Sequence, residues 1–217
     1  MSRLIKVAGF LLLAAAGSAN ADTMYSSQTA FNAAISGATT ITFNGLAPAG
    51  NFVFYGTGSL TLSGVTFTGN DQMYVIDPTF YGSSYPGGDF LTSDYASPDV
   101  ITATLPSVTA VGFNLGGLFD NSLAINAFTI LLSDGSSFTV DVPGNESIQD
   151  GTLGFFGVTS STPLTSIRIS LPDSPAYNAI DNFEFASPSA VPEPLTLSLF
   201  GAGLAGAIAM RRRKAKG

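Results

Sequence analysis

The chain has 217 residues, with 15 Asp and Glu, 8 Lys and Arg, and no His, Cys or Trp. Without Cys there are no disulfide bonds, thiolate metal sites or Cys nucleophile, and without His there is no Ser-His-Asp triad or His-containing zinc site. The mean hydropathy of +0.34 is typical of a membrane protein, but the two apolar ends must be set aside before it is interpreted.

The first 21 residues have the three parts of a secretory signal peptide. Arg3 and Lys6 form a positively charged start, and residues 7–16 form an apolar run. Ala19 and Ala21 then supply the small-residue cleavage pattern. The apolar run is too short to span a bilayer. The sequence therefore predicts cleavage after Ala21, and an ordinary buried N-terminal helix is the alternative.

The part of the chain between Asp22 and Glu193 is strongly acidic. It contains all 15 acidic residues and one basic residue, Arg168, which gives a net charge of −14. Such a surface repels the phosphates of nucleic acids and anionic lipids, so neither is an expected partner. It is compatible with divalent cations, cationic polymers or neutral polysaccharide.

Residues 22–186 predict a single all-β domain with a short N-terminal helix, capped by Ser27 and ended by Gly37. Apolar runs separated by Gly, Pro, Asn, Asp and Ser predict the strands, and Asp134-Gly135 predicts a tight hairpin turn. Many short antiparallel strands without βαβ alternation favour a jelly-roll-like β-sandwich. The predicted strands cover residues 40–46, 59–68, 100–105, 108–115, 124–132, 137–142, 154–159, 166–171 and 179–185.

The C-terminal end combines a Pro-rich motif, an apolar span and a basic tail. After a linker at 187–190 come Val191-Pro192-Glu193-Pro194 and then residues 195–210, which carry no charge. At about 1.5 Å per residue this span is about 24 Å long, short for a permanent anchor but adequate for an untilted passage or a thinned bilayer. Arg211, Arg212 and Arg213 follow directly and are expected to hold the C-terminus in the cytoplasm.

This order of motif, span and basic tail over residues 191–217 resembles the PEP-CTERM sorting signal of Gram-negative bacteria. The resemblance implies processing near Pro192-Glu193-Pro194 by an exosortase, a membrane-embedded cysteine protease. It implies export across the inner membrane, a transient transmembrane helix, and a final place at the cell surface or outside the cell. The same tail is sometimes labelled an ice-binding protein C-terminal domain, which is no evidence about the body. A plain tail anchor is the alternative.

The body more weakly resembles the sandwich domains usually attached to this tail, and similar first and last strands occur in carbohydrate-binding modules. In those modules an early acidic residue and an Asp on the last strand hold a structural calcium. The resemblance places Asn44, instead of the usual Glu, and Asp181 at these positions. By alternation Asp181 points inward with Phe183, and a buried carboxylate needs a cation or several N–H groups. A calcium held by Asn44 and Asp181 is therefore a candidate cofactor, and capping of local backbone is the alternative. The matching segments are residues 41–46, 111–115, 155–159 and 179–185.

Residues 70–99 are predicted to form a loop rich in Asp and aromatic residues. Exposed rings can stack on sugars while Asp and Asn accept hydrogen bonds from sugar hydroxyls, so a glycan site is one hypothesis. Its candidate residues are Tyr74, Tyr81, Tyr85 and Tyr95. The alternative is a structured loop whose rings pack onto the sandwich.

Catalysis is not expected. No pair of acids stands out as the carboxylates of a glycoside hydrolase, and the Gly-rich segments lack a phosphate-binding Lys. The sequence therefore predicts a non-catalytic exported protein of the surface or extracellular matrix, associated with exopolysaccharide or biofilm. A carbohydrate-binding module that uses the loop at 70–99 is the competing hypothesis.

Overall fold

The computed structural model describes residues 22–81, 88–93, 98–118, 125–143, 153–171 and 177–188. Within these ranges the protein is mostly antiparallel β-sheet, with one α-helix and one short 3-10 helix. Neither of these helices is long and apolar enough to cross a membrane. The predicted cleavage residues Ala19 and Ala21, and the whole predicted tail from Val191 onward, lie outside the described residues.

Helix α1 spans Gln28–Ala34 and the 3-10 helix spans Pro78–Tyr81. The strands are β1 Thr23–Tyr25, β2 Ile35–Ile41, β3 Phe52–Gly56, β4 Ser59–Leu62, β5 Val65–Gly69, β6 Met73–Ile76, β7 Phe90–Ser93, β8 Asp99–Leu118, β9 Ile125–Leu132, β10 Ser137–Pro143, β11 Gly154–Leu171 and β12 Tyr177–Pro188.

All strands join one hydrogen-bonded sheet, with a main path β10-β9-β11-β8-β12-β7-β6-β3. The two longest strands, β8 and β11, pair antiparallel along most of their length. The first half of β8 also pairs with β5, and its second half pairs with β12. One strand therefore serves two groups of neighbours.

The sheet folds back on itself so that its two halves enclose one core. Phe67 of β5 contacts Phe183 of β12 with 5.1 Å between ring centroids, although these strands pair with different halves of β8. Phe183 also stacks on Phe113 of β8 at 5.6 Å. The contact between rings from the two halves makes the arrangement sandwich-like, with aromatic side chains at its centre.

The antiparallel all-β prediction is confirmed, and so is the hairpin at Asp134-Gly135. Gly135 has φ +95°, a left-handed conformation that Gly adopts without strain. Its N–H donates to the carbonyl of Leu132 at 3.1 Å, and the N–H of Leu132 donates to the carbonyl of Ser136 at 2.9 Å. The helix is also found, but the side chain of Ser27 makes no capping hydrogen bond and β2 already begins at Ile35.

Several predicted strand boundaries are wrong. In some apolar runs a backbone turn ends the strand early, and in others the strand continues where a break was predicted. The predicted strand 40–46 ends at Ile41, since Phe43 has φ +56°. The predicted strand 59–68 is a hairpin, turned by Ser63 at φ +49° and Gly64 at φ +82°. Conversely, the runs 100–105 and 108–115 form one continuous strand, β8, and the runs 154–159 and 166–171 form β11.

The predicted loop at 70–99 is also wrong in part, because β6 and β7 lie inside it. The strand β3 was not predicted at all. All three strands are short and lie close to Gly, Pro, Asn or Asp, which are typical of loops in a sequence. Their aromatic and β-branched residues favour strands, but only pairing with a neighbouring strand stabilises segments this short.

Helix α1 docks onto the sheet through Phe31, which is fully buried against two glycines. Gly112 of β8 and Gly157 of β11 are direct cross-strand partners. A Cβ on Gly157 would lie 2.7 Å from Cδ2 of Phe31, and a Cβ on Gly112 would lie 2.8 Å from Cε1 of the same ring. The missing side chains therefore create the space that the ring occupies.

We expect Gly157→Ala to lower the free energy of unfolding by about 2 kcal/mol, because the added methyl group overpacks the Phe31 site. Urea unfolding of the variant and the wild type measures this change. In a Phe31→Ala background, where both clashing atoms of Phe31 are absent, the same substitution should cost less, although the ring of Phe155 still lies 2.8 Å from the added Cβ. Equal costs in the two backgrounds would contradict the proposed packing.

Candidate functional site

An acidic cluster of Asn44, Asp89 and Asp181 lies where the loop after β2 meets the start of β7 and the middle of β12. The N–H of Asp89 donates to Oδ1 of Asn44 at 2.9 Å. Oδ2 of Asp89 accepts the N–H of Ala47 at 3.0 Å. The side chain of Asp181 is fully buried and that of Asp89 is 5% exposed. Two buried carboxylates thus lie in this cluster, and the exposed Asn44 binds the backbone beside Asp89.

Strand register and a bulge bring these residues together. Ile180 of β12 pairs with Leu91 of β7. Because the two strands are antiparallel, Asp89 before Leu91 lies close to Asp181 after Ile180. Pairing of β12 with β8 shifts register between Asp181 and Glu184, and Asn182 in the bulge has φ +48°. Bulges re-aim side chains. The simple alternation used to place Asp181 on the face of Phe183 does not hold across this bulge, although both side chains are buried.

The local backbone partly satisfies Asp181. Its Oδ1 accepts the N–H of Asn182 at 2.6 Å, and its Oδ2 accepts Nδ2 of Asn182 at 3.3 Å. The amide of Asn182 also donates to Oδ1 of Asn114 on β8 at 3.1 Å. Among the described residues, Asp181 thus accepts two hydrogen bonds, both from Asn182, as the backbone-capping alternative would require.

The electrostatics of the cluster disfavour two negative charges. Burial raises the pKa of Asp181 to about 7, the hydrogen bond from the backbone of Asn182 opposes this rise, and the charge of Asp89 adds to it. No basic side chain is available to compensate, because Arg168, the only one between Asp22 and Glu193, is exposed on β11 opposite Thr102 and Leu131. A bound cation would relieve this repulsion.

The side chains present are of the right kind for calcium, which prefers carboxylate, amide and carbonyl oxygens. Asn44 Oδ1 and Asp89 Oδ2 each accept one N–H, and such an oxygen has a second lone pair for another partner. In the part of the chain that the structure describes, no three acidic side chains gather to hold a metal. A calcium here would therefore depend on Asp89, Asp181, the amide of Asn44 and backbone carbonyls.

Asp89 was missed by the sequence analysis. It lies in the segment 70–99, where it looked like one of several Asp residues in a solvated loop. Its position before β7 gives it a role only once β7 pairs with β12. No local sequence signal distinguishes it from its neighbours.

The four tyrosines predicted as a glycan site do not form one group within the described residues. Tyr74 lies on β6, half-buried, and its hydroxyl donates to Oε1 of Gln72 at 2.7 Å. Tyr81 ends the 3-10 helix, and Tyr85 and Tyr95 lie outside the described residues. The structure therefore places only Tyr74 within a described aromatic group.

That group is an aromatic strip formed by Phe54, Tyr74, Phe52 and Phe80. Successive ring centroids along it are 5.0, 5.6 and 5.1 Å apart. Phe54 is 54% exposed, Phe52 38% and Phe80 36%. Phe52 and Phe54 were missed because β3 was not predicted, although their alternation at i and i+2 is a strand signal.

A hydrogen-bonded turn supports one end of the strip. Oδ1 of Asp77 accepts the N–H of Gly50 at 3.0 Å, the N–H of Thr79 at 2.9 Å and the hydroxyl of Thr79. The hydroxyl of Thr79 and the N–H of Gly50 hold the pKa of Asp77 below its usual value, so the group is charged at neutral pH. This turn connects β6 to the 3-10 helix that carries Phe80.

Comparison with known families identifies the tail. Residues 190–214 match the family model of the PEP-CTERM protein-sorting motif. The chain carries a PEP-CTERM tail. This is the C-terminal tail of an exosortase substrate, and it indicates export and sorting to the cell surface. Pro192, Glu193 and Pro194 lie inside the match, as do Arg211, Arg212 and Arg213.

A search of curated proteins found no match to the chain. Among solved structures, the chain is similar to CBM35 from Cellvibrio japonicus Abf62 at 10% identity and a TM-score of 0.41, over 64% of this chain and 95% of that chain. A family 35 carbohydrate binding module from Clostridium thermocellum is 10% identical with a TM-score of 0.37, over 63% of this chain and 98% of that chain. CBM29_1, a family 29 carbohydrate binding module from Piromyces equi, is 14% identical with a TM-score of 0.36, over 68% of this chain and 98% of that chain. Likeness at this level does not establish a ligand for this chain.

In the presence of a chelator, we expect the free energy of unfolding to fall as the pH rises from 5 to 8. Because the pKa of Asp181 is about 7 in the folded chain, against 3.8 ordinarily, the folded state binds the extra proton in this window. Stability is then greatest at low pH, and between pH 5 and 8 the free energy of unfolding decreases by about 2.5 kcal/mol as the proton is lost. Urea unfolding at both pH values measures this change.

Asp181→Asn should remove the decrease and should be more stable than the wild type at pH 8 without metal. Asp141→Asn, which changes an exposed carboxylate on β10, is the control and should keep the wild-type dependence. A wild-type stability that rises toward pH 8 would be inconsistent with the electrostatics described for the cluster.

Proposed function

We propose that the protein is a non-catalytic component of the cell surface or extracellular matrix, processed by an exosortase and associated with exopolysaccharide. The observation that carries this proposal is the PEP-CTERM tail at 190–214 joined to a strongly acidic β-domain. The tail delivers the domain outside the inner membrane. The acidic surface disfavours phosphate-rich partners and leaves polysaccharide as a compatible one.

The environment of Asp181 supports a non-catalytic function. A carboxyl with a pKa near neutrality is a common feature of general acids. The side chain of Asp181, however, is fully buried and bonded to Asn182, so a substrate has no access to its oxygens. Its unusual pKa is better explained by structure, as part of a cluster that a cation would complete.

We further propose that Asn44, Asp89 and Asp181 bind a structural calcium. When bound, the ion supplies positive charge between two buried carboxylates and ties the loop after β2 to β7 and β12. The raised pKa of Asp181 and the absence of a basic side chain beside it support this proposal. Such an ion would be structural and would take no part in a reaction.

Calcium should raise the melting temperature of the secreted protein after chelator treatment. At a concentration a hundred times the dissociation constant, binding adds about 2.7 kcal/mol, which for a chain of this length corresponds to a rise of about 5 to 10 °C. Asp181→Asn should fold but show no rise, and Asp141→Asn should respond like the wild type. If the wild type shows no shift, Asp181 is a backbone cap and the calcium proposal fails.

The tail proposal predicts that mature protein lacks residues 195–217, and intact-mass analysis of cell fractions measures this. Because Pro192 and Pro194 disfavour a helix, we expect the motif to be accessible to a protease, and Glu193 is its only charge. Glu193→Ala should therefore leave full-length protein in the inner membrane, whereas the control Glu146→Ala should be processed normally. Replacing Arg211, Arg212 and Arg213 by Ser should also impair processing, because it weakens retention in the cytoplasm. An intact C-terminus on mature wild-type protein, in a strain with an active exosortase, would instead indicate a simple tail anchor.

The association with exopolysaccharide is tested in the same cultures. Processed protein should sediment with the extracellular polysaccharide and leave this fraction when the polysaccharide is enzymatically degraded. A carbohydrate-binding module is the second candidate function, and the exposed rings around Tyr74 are the observation that favours it.

A further inference from the structure

We propose that the aromatic strip of Phe54, Tyr74, Phe52 and Phe80 is a binding site for single chains of an extended, neutral polysaccharide. This inference rests on the proposed association with exopolysaccharide and adds the contact surface and the class of sugar. It is carried by the exposure of the rings, their packing and the charge around them.

The exposure of these rings needs an explanation. Aromatic side chains gain much free energy from burial, and single exposed ones are common, but a contiguous exposed group is typical of an interaction site. Here Phe52 and Phe54 project from β3, the last strand on the main path of the sheet, and Tyr74 is the direct cross-strand partner of Phe54. Phe80 extends the group beyond Phe52.

The packing of the rings makes one continuous apolar surface. Neighbouring ring centroids lie 5.0 to 5.6 Å apart, the usual distance of packed aromatic pairs, and Tyr74 contacts both Phe52 and Phe54, so the faces of a sugar chain can stack on the group as a whole. The planes of neighbouring rings differ by 35° between Phe54 and Tyr74, and by 75° and 80° in the next two steps. The rings therefore do not form one flat platform. They fit a chain that rotates about its axis, and not the flat surface of a crystalline polymer.

The charge near the strip selects against acidic sugars. Asp77 lies three residues before Phe80 and remains ionised at neutral pH, because hydrogen bonds from Thr79 and Gly50 stabilise the carboxylate. The domain as a whole carries a net charge of −14 between Asp22 and Glu193. A uronate or sulfated sugar would be repelled, whereas the hydroxyls of a neutral sugar can donate hydrogen bonds to the acceptors at this end.

The same charge argues against a second copy of the chain as the occupant of the strip. An exposed edge strand such as β3, with the uncharged sequence Phe52-Val53-Phe54-Tyr55, is a ready template for pairing with another strand. Two copies that each carry −14 would repel one another as they approached. A neutral polysaccharide meets no such barrier.

The test compares the purified secreted protein with two variants by affinity electrophoresis in gels that contain hydroxyethylcellulose, galactomannan or polygalacturonate. We expect at least one neutral polymer to retard the wild type and polygalacturonate to have no effect. Phe54→Ala should weaken retardation about tenfold, because it removes the most exposed ring of the strip. Leu131→Ala is the matched control, since Leu131 is also an exposed apolar side chain, 40% exposed, but lies on β9.

Each alternative outcome overturns a stated part of the inference. Equal retardation of Phe54→Ala and the wild type excludes the strip as the site, and retardation by polygalacturonate alone excludes the neutral class. Wild-type binding to crystalline cellulose but to neither soluble neutral polymer excludes the single-chain fit. A dimer that Phe54→Ala dissociates, without any glycan binding, identifies a second copy as the occupant. If Phe54→Ala protein still sediments with the exopolysaccharide, the site is wrong while the proposed function stands.

Discussion

The antiparallel pairing of β8 with β11 is the constraint on which the rest of the structure depends. These two strands are long enough to serve both halves of the folded sheet, so every further strand takes its position from them. Their paired glycines, Gly112 and Gly157, leave the space for Phe31 and thereby fix helix α1. Because β12 aligns with the second half of β8, the same pairing also determines where Asp181 lies.

The acidic cluster shows how a sheet can position groups that repel each other. Burying Asp181 next to Asp89 has an electrostatic cost, and it is tolerated because packing and strand pairing hold the surrounding backbone in place. In an exported protein without Cys, no disulfide can tie the loop after β2 to the last strand. A calcium ion at this point would supply a comparable link, and its affinity would decrease when Asp181 is protonated.

The aromatic strip is the reverse of the acidic cluster, because it exposes apolar side chains to water where the cluster buries charged ones. It is built at β3, where the main path of the sheet ends and no further strand is described that would cover the rings. The PEP-CTERM tail indicates that this surface is exported and sorted to the cell surface, where the proposed polysaccharide partner would meet it. Export and exposed rings, which are unrelated in the sequence, are therefore consistent with one function.

The sequence by itself determined the features that depend on neighbouring residues. The sorting tail is a contiguous motif, the turn at Asp134-Gly135 needs only the backbone freedom of Gly, and the all-β class follows from short alternating runs. Only the tertiary structure decided which distant residues meet. Asn44 and Asp89 are 45 positions apart in the chain, and Asp89 approaches Asp181 only because β7 pairs with β12. Likewise β3 forms through its pairing with β6, so Phe52 and Phe54 were not recognised as parts of one exposed surface. The physical reason is that turn and strand preferences act over a few residues, whereas register, bulges and burial are set by contacts across the whole sheet.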